Sequence, residues 1–372
     1  MMLHSNIAAS REGARPFIAA GEWPACDLEV LGRCPACGSE RRSLMFSGLR
    51  DCAFATAPGE WTMWQCRSCK AAYLDPRPSP GSIGRAYSRY YTHRNSAVVN
   101  RERRVVRAIT HWLGSRLMND YRNQTYGYRL PAIPLGTVVS GLWPTRRRRV
   151  DHAMRHLPAP KSAGAALLDV GCGDGEFVKV AARLGFAAVG IDSDERAIDA
   201  ARAAGLDVRV GHLPGTGLAP GSFDQITARH VLEHLHAPKE AIREIYELLR
   251  PGGRLWLSQP NLGAIGLKEF GGNWRGLEPP RHLTLFDCHG MRRLLEACGF
   301  IDVRVLPPEP VASFYYRQSQ CQASGIDPYA AAEPPGWSEE WERRVRSADA
   351  HAAVDSRLGE SLTMIGWKPK DD

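Results

Sequence analysis

Three groups of residues in this chain have the types and spacing to do chemistry. Cys34 and Cys37 stand in CPACG, and Cys66 and Cys69 in CRSCK. Two C-x-x-C pairs a few tens of residues apart make a zinc pattern: each knuckle aims two thiolates at one ion, and zinc takes four such ligands in a tetrahedron. Four protein ligands predict a closed, structural site. Disulfides or redox pairs are the alternative, but the N-terminal MMLHSNIAASREGARPF has no long apolar run to direct the chain to an oxidising compartment. A cytoplasmic location is therefore expected. Cys26, Cys52, Cys172, Cys288, Cys298 and Cys321 show no paired spacing and read as plain thiols.

The second group is LDVGCGDGE, with Gly171, Gly173 and Gly175 alternating behind Asp169. Small residues let backbone lie flat against a ligand. A dinucleotide loop of the G-x-G-x-x-G type would place its third glycine at 176, where Glu176 stands, and no Gly-Lys-Ser or Gly-Lys-Thr follows as a phosphate loop requires. The third group is histidine-rich. ARHVLEHLHAP carries His230, Glu233, His234 and His236, and WRGLEPPRHLTLF carries Arg281 and His282. Val231 after the first histidine rules out the zinc-protease H-E-x-x-H. A histidine is a suitable base for a hydroxyl. His234 is the first candidate, with Glu233 to orient it, and His282 the second. Packing or turn capping is the other reading for each. Arg281 suits a phosphate or carboxylate, or else a surface ion pair.

The elements that position these groups follow from periodicity. AALLDV, AAVGID, DVRVG, SFDQITAR and RLWLSQP read as strands. GEFVKVAARLG, DERAIDAARAAG and KEAIREIYELLRPGG read as helices ended by glycine or proline, and a further helix is expected from about Cys288 to Cys298. This alternation predicts an α/β fold with a doubly wound, Rossmann-like parallel sheet, whose ligands bind at the carboxyl ends of the strands. LGESLTMIGWKP reads as its last strand. The expected organisation is a zinc ribbon and tyrosine-rich arm over residues 1–92, an arginine-rich helical linker over 93–155, and the sheet domain over 156–372 with an insert at about 308–355.

D-x-G-C-G-x-G resembles motif I of the class I S-adenosylmethionine-dependent methyltransferases, and the resemblance extends from about Leu167 to Asn261. It implies S-adenosylmethionine as cofactor, held by Asp169, Gly171, Cys172, Gly173, Gly175, Asp192, Ser193, His212, Leu213 and His230. Within that set Asp192 ends the second strand and would hold the ribose hydroxyls, because one carboxylate accepts two hydrogen bonds. The family's usual acidic adenine contact is replaced here by His212 and Leu213. The H-x-L-E-H run is similar to enzymes that methylate small hydroxylated metabolites, quinone precursors and sugars. The zinc pairs, the arm and the WRGLEPPRHLTLF lid resemble zinc-ribbon methyltransferases of bacterial polysaccharide and secondary-metabolite clusters. That likeness implies Tyr90, Tyr91 and Arg281 as substrate contacts.

The 372 residues carry a formal net charge of +8, which favours an anionic partner but does not name one. A nucleic-acid (RNA) methyltransferase, which the zinc ribbon and the charge would suit, is one alternative, although neither an Asn-Pro-Pro-Tyr-like run nor a Pro-Cys nucleophile follows the fourth strand; a non-catalytic cofactor-fold binding protein is the other, and the intact glycine loop and Asp192 argue against it. A small molecule or sugar is the expected partner. The apolar LPAIPLGTVVSGLWP, too short to span a bilayer, is expected in the protein's own core, with peripheral membrane contact as the alternative. The RRRR run at Arg146 to Arg149 reads as a solvated helix start. The oligomeric state is not encoded in any of these features.

Overall fold

The computed structural model describes residues 17–88 and 104–371, with side chains from residue 114 in the second span. The main sheet has seven strands: β6 (Ala166–Val170), β7 (Ala187–Asp192), β8 (Val208–Val210), β9 (Phe223–Arg229), β10 (Leu249–Pro260), β12 (Ile301–Val305) and β13 (Ser361–Trp367). Their order is β12-β13-β10-β9-β6-β7-β8. The central strands run parallel, and β13 lies antiparallel between β10 and β12. This is the expected doubly wound Rossmann-like sheet, of the methyltransferase type. The direction of winding reverses between β6 and β9, so the crevice opens where the glycine loop leaves β6.

Local chemistry sets the helices around it. The helix α4 (Glu176–Arg183) starts behind Gly175, whose φ of 78° is in the left-handed region. α5 (Glu195–Ala203) is capped by the Asp194 carboxylate, which accepts from the amides of Arg196 and Ala197. α6 (Pro238–Leu248) begins on Pro238 and buries Ala241, Ile242, Ile245 and Leu248. α8 (Cys288–Ala297) is capped by Asp287.

The N-terminal part is joined to this sheet rather than tethered to it. β2 (Arg42–Leu49), β3 (Trp61–Cys66) and β4 (Ala72–Leu74) form an antiparallel sheet, completed by β11 (Thr284–Leu285) from the far end of the sequence. Thr284 pairs with Tyr73 and Leu285 with Ala72. The segment around Pro279 and Pro280 is irregular, as expected, but its end becomes a strand. Cys34, Cys66, Cys69 and Tyr73 also pack in the same apolar core as Leu168, Ile226 and Leu255 of the main sheet. A short pair, β1 (Leu28–Glu29) with β5 (Arg77–Pro78), completes the N-terminal part.

Two expectations are corrected by burial. Arg281 does not face a substrate or solvent: it is fully buried. Its guanidinium meets the Asp51 carboxylate in a two-pronged ion pair, with one contact of 3.0 Å, and donates to Glu278 at 2.8 Å and to the Ala86 carbonyl at 3.0 Å. Its face lies 4.5 Å from the Phe54 ring centre. A buried guanidinium needs this many partners, since each unmet donor would carry its full desolvation cost. The second correction concerns residues 130–144. α1 (Arg104–Tyr126) leads through this stretch to α2 (Gly136–Leu142) and α3 (Pro144–Ala153). Leu135, Val138, Leu142 and Trp143 are exposed there rather than placed in the core.

Removing the Arg281 charge leaves Asp51 buried without its counter-ion, while Glu278 keeps Arg275. Arg281→Met should therefore lower the free energy of unfolding by about 3–5 kcal/mol. Urea denaturation followed by circular dichroism checks this, and a loss below about 1 kcal/mol would contradict the assignment.

Candidate active site

The glycine loop follows β6. Gly171 has φ 68°, and a Cβ on it would lie 2.4 Å from Val231 Cγ2, so both conformation and space demand glycine. The Gly173 amide donates to Asp192 Oδ2 at 2.8 Å, while Asp192 Oδ1 accepts from the Asp194 amide at 2.9 Å. Asp192 thus holds the loop from the end of β7, and its oxygens keep further lone pairs for ligand hydroxyls. A cleft of about 630 Å³ lies over this loop, and Gly171, Gly173, Asp192, Ser193, His212, Leu213, His230 and His234 all line it.

Three other loop residues do not line the cleft. Asp169 is fully buried beneath the loop, ion-paired with Arg155 and accepting from Thr227 Oγ1 at 2.9 Å. Arg155 in turn lies 3.7 Å over the Phe177 ring. Asp169 therefore positions the loop from below instead of touching a ligand at the cleft surface. Cys172 turns into the packing between β7, α4 and α5, where Val178, Ile198 and Val208 surround it. Gly175 is the turn into α4, with Leu206 and Ala201 where a Cβ would go. Direct ligand contact by these side chains is thus replaced by support of the loop.

After β9 the backbone turns sharply. His230 takes φ 53°, and Leu232–His234 form a 3-10 turn rather than the α-helix that would place His230 and His234 on one face. Both still face the cleft. They also line a second cavity of about 380 Å³, together with Phe54, Arg229, Arg275, Glu278, His282, Phe314, Tyr315 and Tyr329. His230 and His234 are thus the shared wall of two adjoining spaces.

The network around His234 determines its proton. Nδ1 lies 3.1 Å from the Arg281 carbonyl, which can only accept, so in the tautomer that makes this bond Nδ1 carries the hydrogen and Nε2 keeps the lone pair. Tyr87, from the N-terminal arm, places its hydroxyl 3.0 Å from the same Nδ1. The lid also docks on this turn through Leu283 N, which donates to the Glu233 carbonyl at 2.6 Å. Glu233 is buried and accepts from His230 Nδ1 at 3.1 Å, so it orients His230 and not His234 as expected. Burial alone would raise its pKa, but the His230 hydrogen bond and the nearby His234 and His282 hold it below the ordinary carboxylate value.

His282 faces His234 with ring centres 4.8 Å apart. Its Nδ1 lies 2.7 Å from the Gly276 carbonyl and therefore carries the hydrogen. Burial pushes its pKa down to about 4, despite the opposing charge of Glu278. Glu233, His234 and His282 each offer one atom within 4.8 Å of the others, which is also a set able to hold a divalent cation.

At the N-terminus, Cys34 Sγ lies 3.6 Å from Cys69 Sγ, and Cys37 Sγ lies 3.6 Å from Cys66 Sγ. All four sulfurs cluster, and none is in a disulfide. Sulfurs at about 2.3 Å from one tetrahedral zinc would sit about 3.8 Å apart, so the donor set fits that ion.

Tyr90 and Tyr91 lie outside the described residues. Tyr87 of the same tyrosine-rich arm reaches the site. Phe54, Arg275, Phe314, Tyr315 and Tyr329 carry no motif and are brought in only by tertiary packing.

Comparison with known proteins places these features in context. Residues 142–305 match a family model described as a methyltransferase domain. The ubiquinone biosynthesis O-methyltransferase of Caulobacter vibrioides is 37% identical over 130 residues, covering 32% of this chain and 52% of that protein. That of Xanthomonas euvesicatoria pv. vesicatoria is 41% identical over 106 residues, covering 27% and 44%. The chain therefore spans about half the length of the curated relatives it matches. Among solved structures, a possible histamine N-methyltransferase from Thermotoga maritima aligns with TM-score 0.38 and 19% identity, over 63% of this chain and 96% of that one. Phosphoethanolamine N-methyltransferase 2 of Haemonchus contortus, in complex with S-adenosyl-L-methionine, aligns with TM-score 0.40 and 16% identity, over 80% and 63%.

The buried His282 makes a pH prediction. Its folded pKa, about 4, lies below its ordinary 6.5, so between these values the unfolded chain binds more protons. Stability should fall as pH drops through that window, by on the order of 3 kcal/mol from this group. His156, pushed down to about 2, acts in the same direction. Comparing wild type with His282→Gln by urea denaturation from neutral to acid pH isolates the His282 share. Parallel stability profiles for the two proteins would refute it.

Proposed function

We propose that this chain, whose residues 142–305 match a methyltransferase domain, is an S-adenosylmethionine-dependent methyltransferase acting on a hydroxyl of a small ring compound, a sugar or a phenolic metabolite. One observation carries the reading: His230 and His234 line both the glycine-loop cleft and the second cavity. A group bound in each would meet at these histidines.

In the first cleft, Asp192 is set to accept ribose hydroxyls, and the flat backbone at Gly171 and Gly173 accommodates the cofactor's body. S-adenosylmethionine bound there supplies an electrophilic methyl group. The second cavity is lined by the aromatic side chains of Phe54, Phe314, Tyr315 and Tyr329, and Arg229, paired to Glu309 at 2.7 Å, gives a polar edge. Such a lining suits a flat or ring-shaped acceptor with polar substituents. A neutral hydroxyl is a poor nucleophile. His234 Nε2, with its lone pair free, takes the hydroxyl proton as the oxygen attacks, and the Arg281 carbonyl stabilises the resulting imidazolium through Nδ1–H. Glu233 holds His230 in place in the wall. The methyl-acceptor class agrees with the curated relatives, which are named as O-methyltransferases. Glycan or secondary-metabolite biosynthesis is the setting we favour for a sugar acceptor. A second reading rests on Glu233, His234 and His282: a divalent cation held there would lower the acceptor's pKa in place of a histidine base. The Cys34, Cys37, Cys66 and Cys69 cluster is read as a structural zinc site, supported by its sulfur spacing.

Calorimetry with S-adenosylhomocysteine should show binding, and Asp192→Ala should weaken it by on the order of a hundredfold. His234→Ala should leave that affinity intact and lower turnover by about a hundred- to ten-thousandfold on an acceptor found by screening sugars and phenols. If chelator abolishes turnover and a divalent cation restores it, the metal reading replaces the histidine base. Absence of S-adenosylhomocysteine binding would overturn the proposal as a whole.

Metal analysis of purified protein should find about one zinc per chain, lost together with the fold of the N-terminal part in Cys37→Ser. Metal-free protein of unchanged thermal stability would contradict this reading.

A further inference from the structure

The stretch from Tyr121 to Val150 contains six arginines, Arg122, Arg129, Arg146, Arg147, Arg148 and Arg149, and no acidic residue. Within it, α2 turns a row of apolar side chains outward. Leu135 is 68% exposed, Val138 64%, Leu142 71% and the adjoining Trp143 54%. Val138 and Leu142, four apart, share one face of α2, and Leu135 and Trp143 stand at its two ends. Pro131 and Pro134 extend the exposed patch on the approach to α2. Isolated exposed leucines are ordinary, but four large apolar side chains on one short helix and at its two ends are a patch of the kind that marks a binding surface. Arg129, Arg146 and Arg149 flank it, exposed and without an ion pair among the described residues.

The combination specifies its occupant. A protein groove would require acidic complements at defined places. A lipid surface needs only an apolar face to enter the acyl boundary, a tryptophan at headgroup depth and cations to meet anionic headgroups. No described helix is long and apolar enough to cross a membrane, so this face would rest on one leaflet. We propose that α2 and the start of α3 seat the protein on an anionic lipid bilayer, with Leu135, Val138, Leu142 and Trp143 entering the interface and Arg129, Arg146 and Arg149 contacting headgroups. The seat brings the enzyme to acceptors that partition into membranes, and it is independent of the methyl-transfer chemistry.

The test is co-sedimentation of the full chain with vesicles of phosphatidylcholine alone and with roughly one third phosphatidylglycerol. Binding is expected to the anionic vesicles only, weakening as salt rises. The double variant Leu135→Ser, Leu142→Ser should weaken binding at least about tenfold. Arg146→Glu with Arg149→Glu should do the same. Both pairs are exposed, so melting temperature and S-adenosylhomocysteine affinity should stay at wild-type values. Absence of binding to anionic vesicles overturns the proposal, as does binding that neither variant weakens. If the protein is instead a dimer in solution that the leucine variant dissociates, and it does not bind vesicles, the patch belongs to a second copy and the membrane assignment is wrong.

Discussion

The Arg281 guanidinium, held between Asp51 and Glu278, is the contact on which the site's geometry depends. Asp51 belongs to the N-terminal sheet, Glu278 to the lid, and the Ala86 carbonyl that also accepts from Arg281 belongs to the arm carrying Tyr87. One side chain thereby ties three distant stretches of sequence around a single cation. Its backbone carbonyl meets His234, so the residue that locks the lid also chooses which nitrogen of the catalytic candidate is free. Burial makes the lock strict: a cation with no access to water has no substitute for its two carboxylates.

A second buried pair works beneath the cofactor loop. Asp169 and Arg155 neutralise one another under the turn, with Thr227 as the third partner. Arg155 comes from the stretch that the sequence presents as a linker, so this stretch is built into the sheet domain and supports its floor. The upper surface of the loop is held from β7, by Asp192 through the amides of Gly173 and Asp194 and by the Ile191 carbonyl through those of Gly171 and Cys172. The two carboxylates divide the work: one bears the structural load from below, and the other is presented to a ligand.

The strands, helices and glycine loop were legible in the sequence because they depend on local periodicity and on neighbours within a few positions. The sheet follows from such signals, the cleft lining from Gly171 to Leu213 from the resemblance that the loop carries, and the cysteine pairs gather as their spacing requires. What was not legible depends on contacts far apart in the chain. Arg281 looks like an anion contact until Asp51, 230 positions away, is seen to neutralise it. Glu233 precedes His234 in sequence yet turns to His230, because the chain after β9 takes a left-handed step in place of a helical one. The aromatic wall of Phe54, Phe314, Tyr315 and Tyr329 comes from two regions without any motif. Residues 130–144 are apolar enough to be read as core, and only the packing of the surrounding helices reveals the face left outside.

The strand β11 has a wider consequence. It hydrogen-bonds to β4, within the sheet that carries Cys66, while the segment just before it supplies His282 to the acceptor side. The cysteine cluster and the acceptor cavity are therefore joined by one run of paired backbone. Where an ion in the cluster favours the arrangement that the acceptor also takes, reciprocity of binding free energies makes the two raise each other's affinity by the same factor. The supply of metal would then set an upper limit on how firmly the enzyme holds its acceptor, without any atom of the ion coming near the reacting bond.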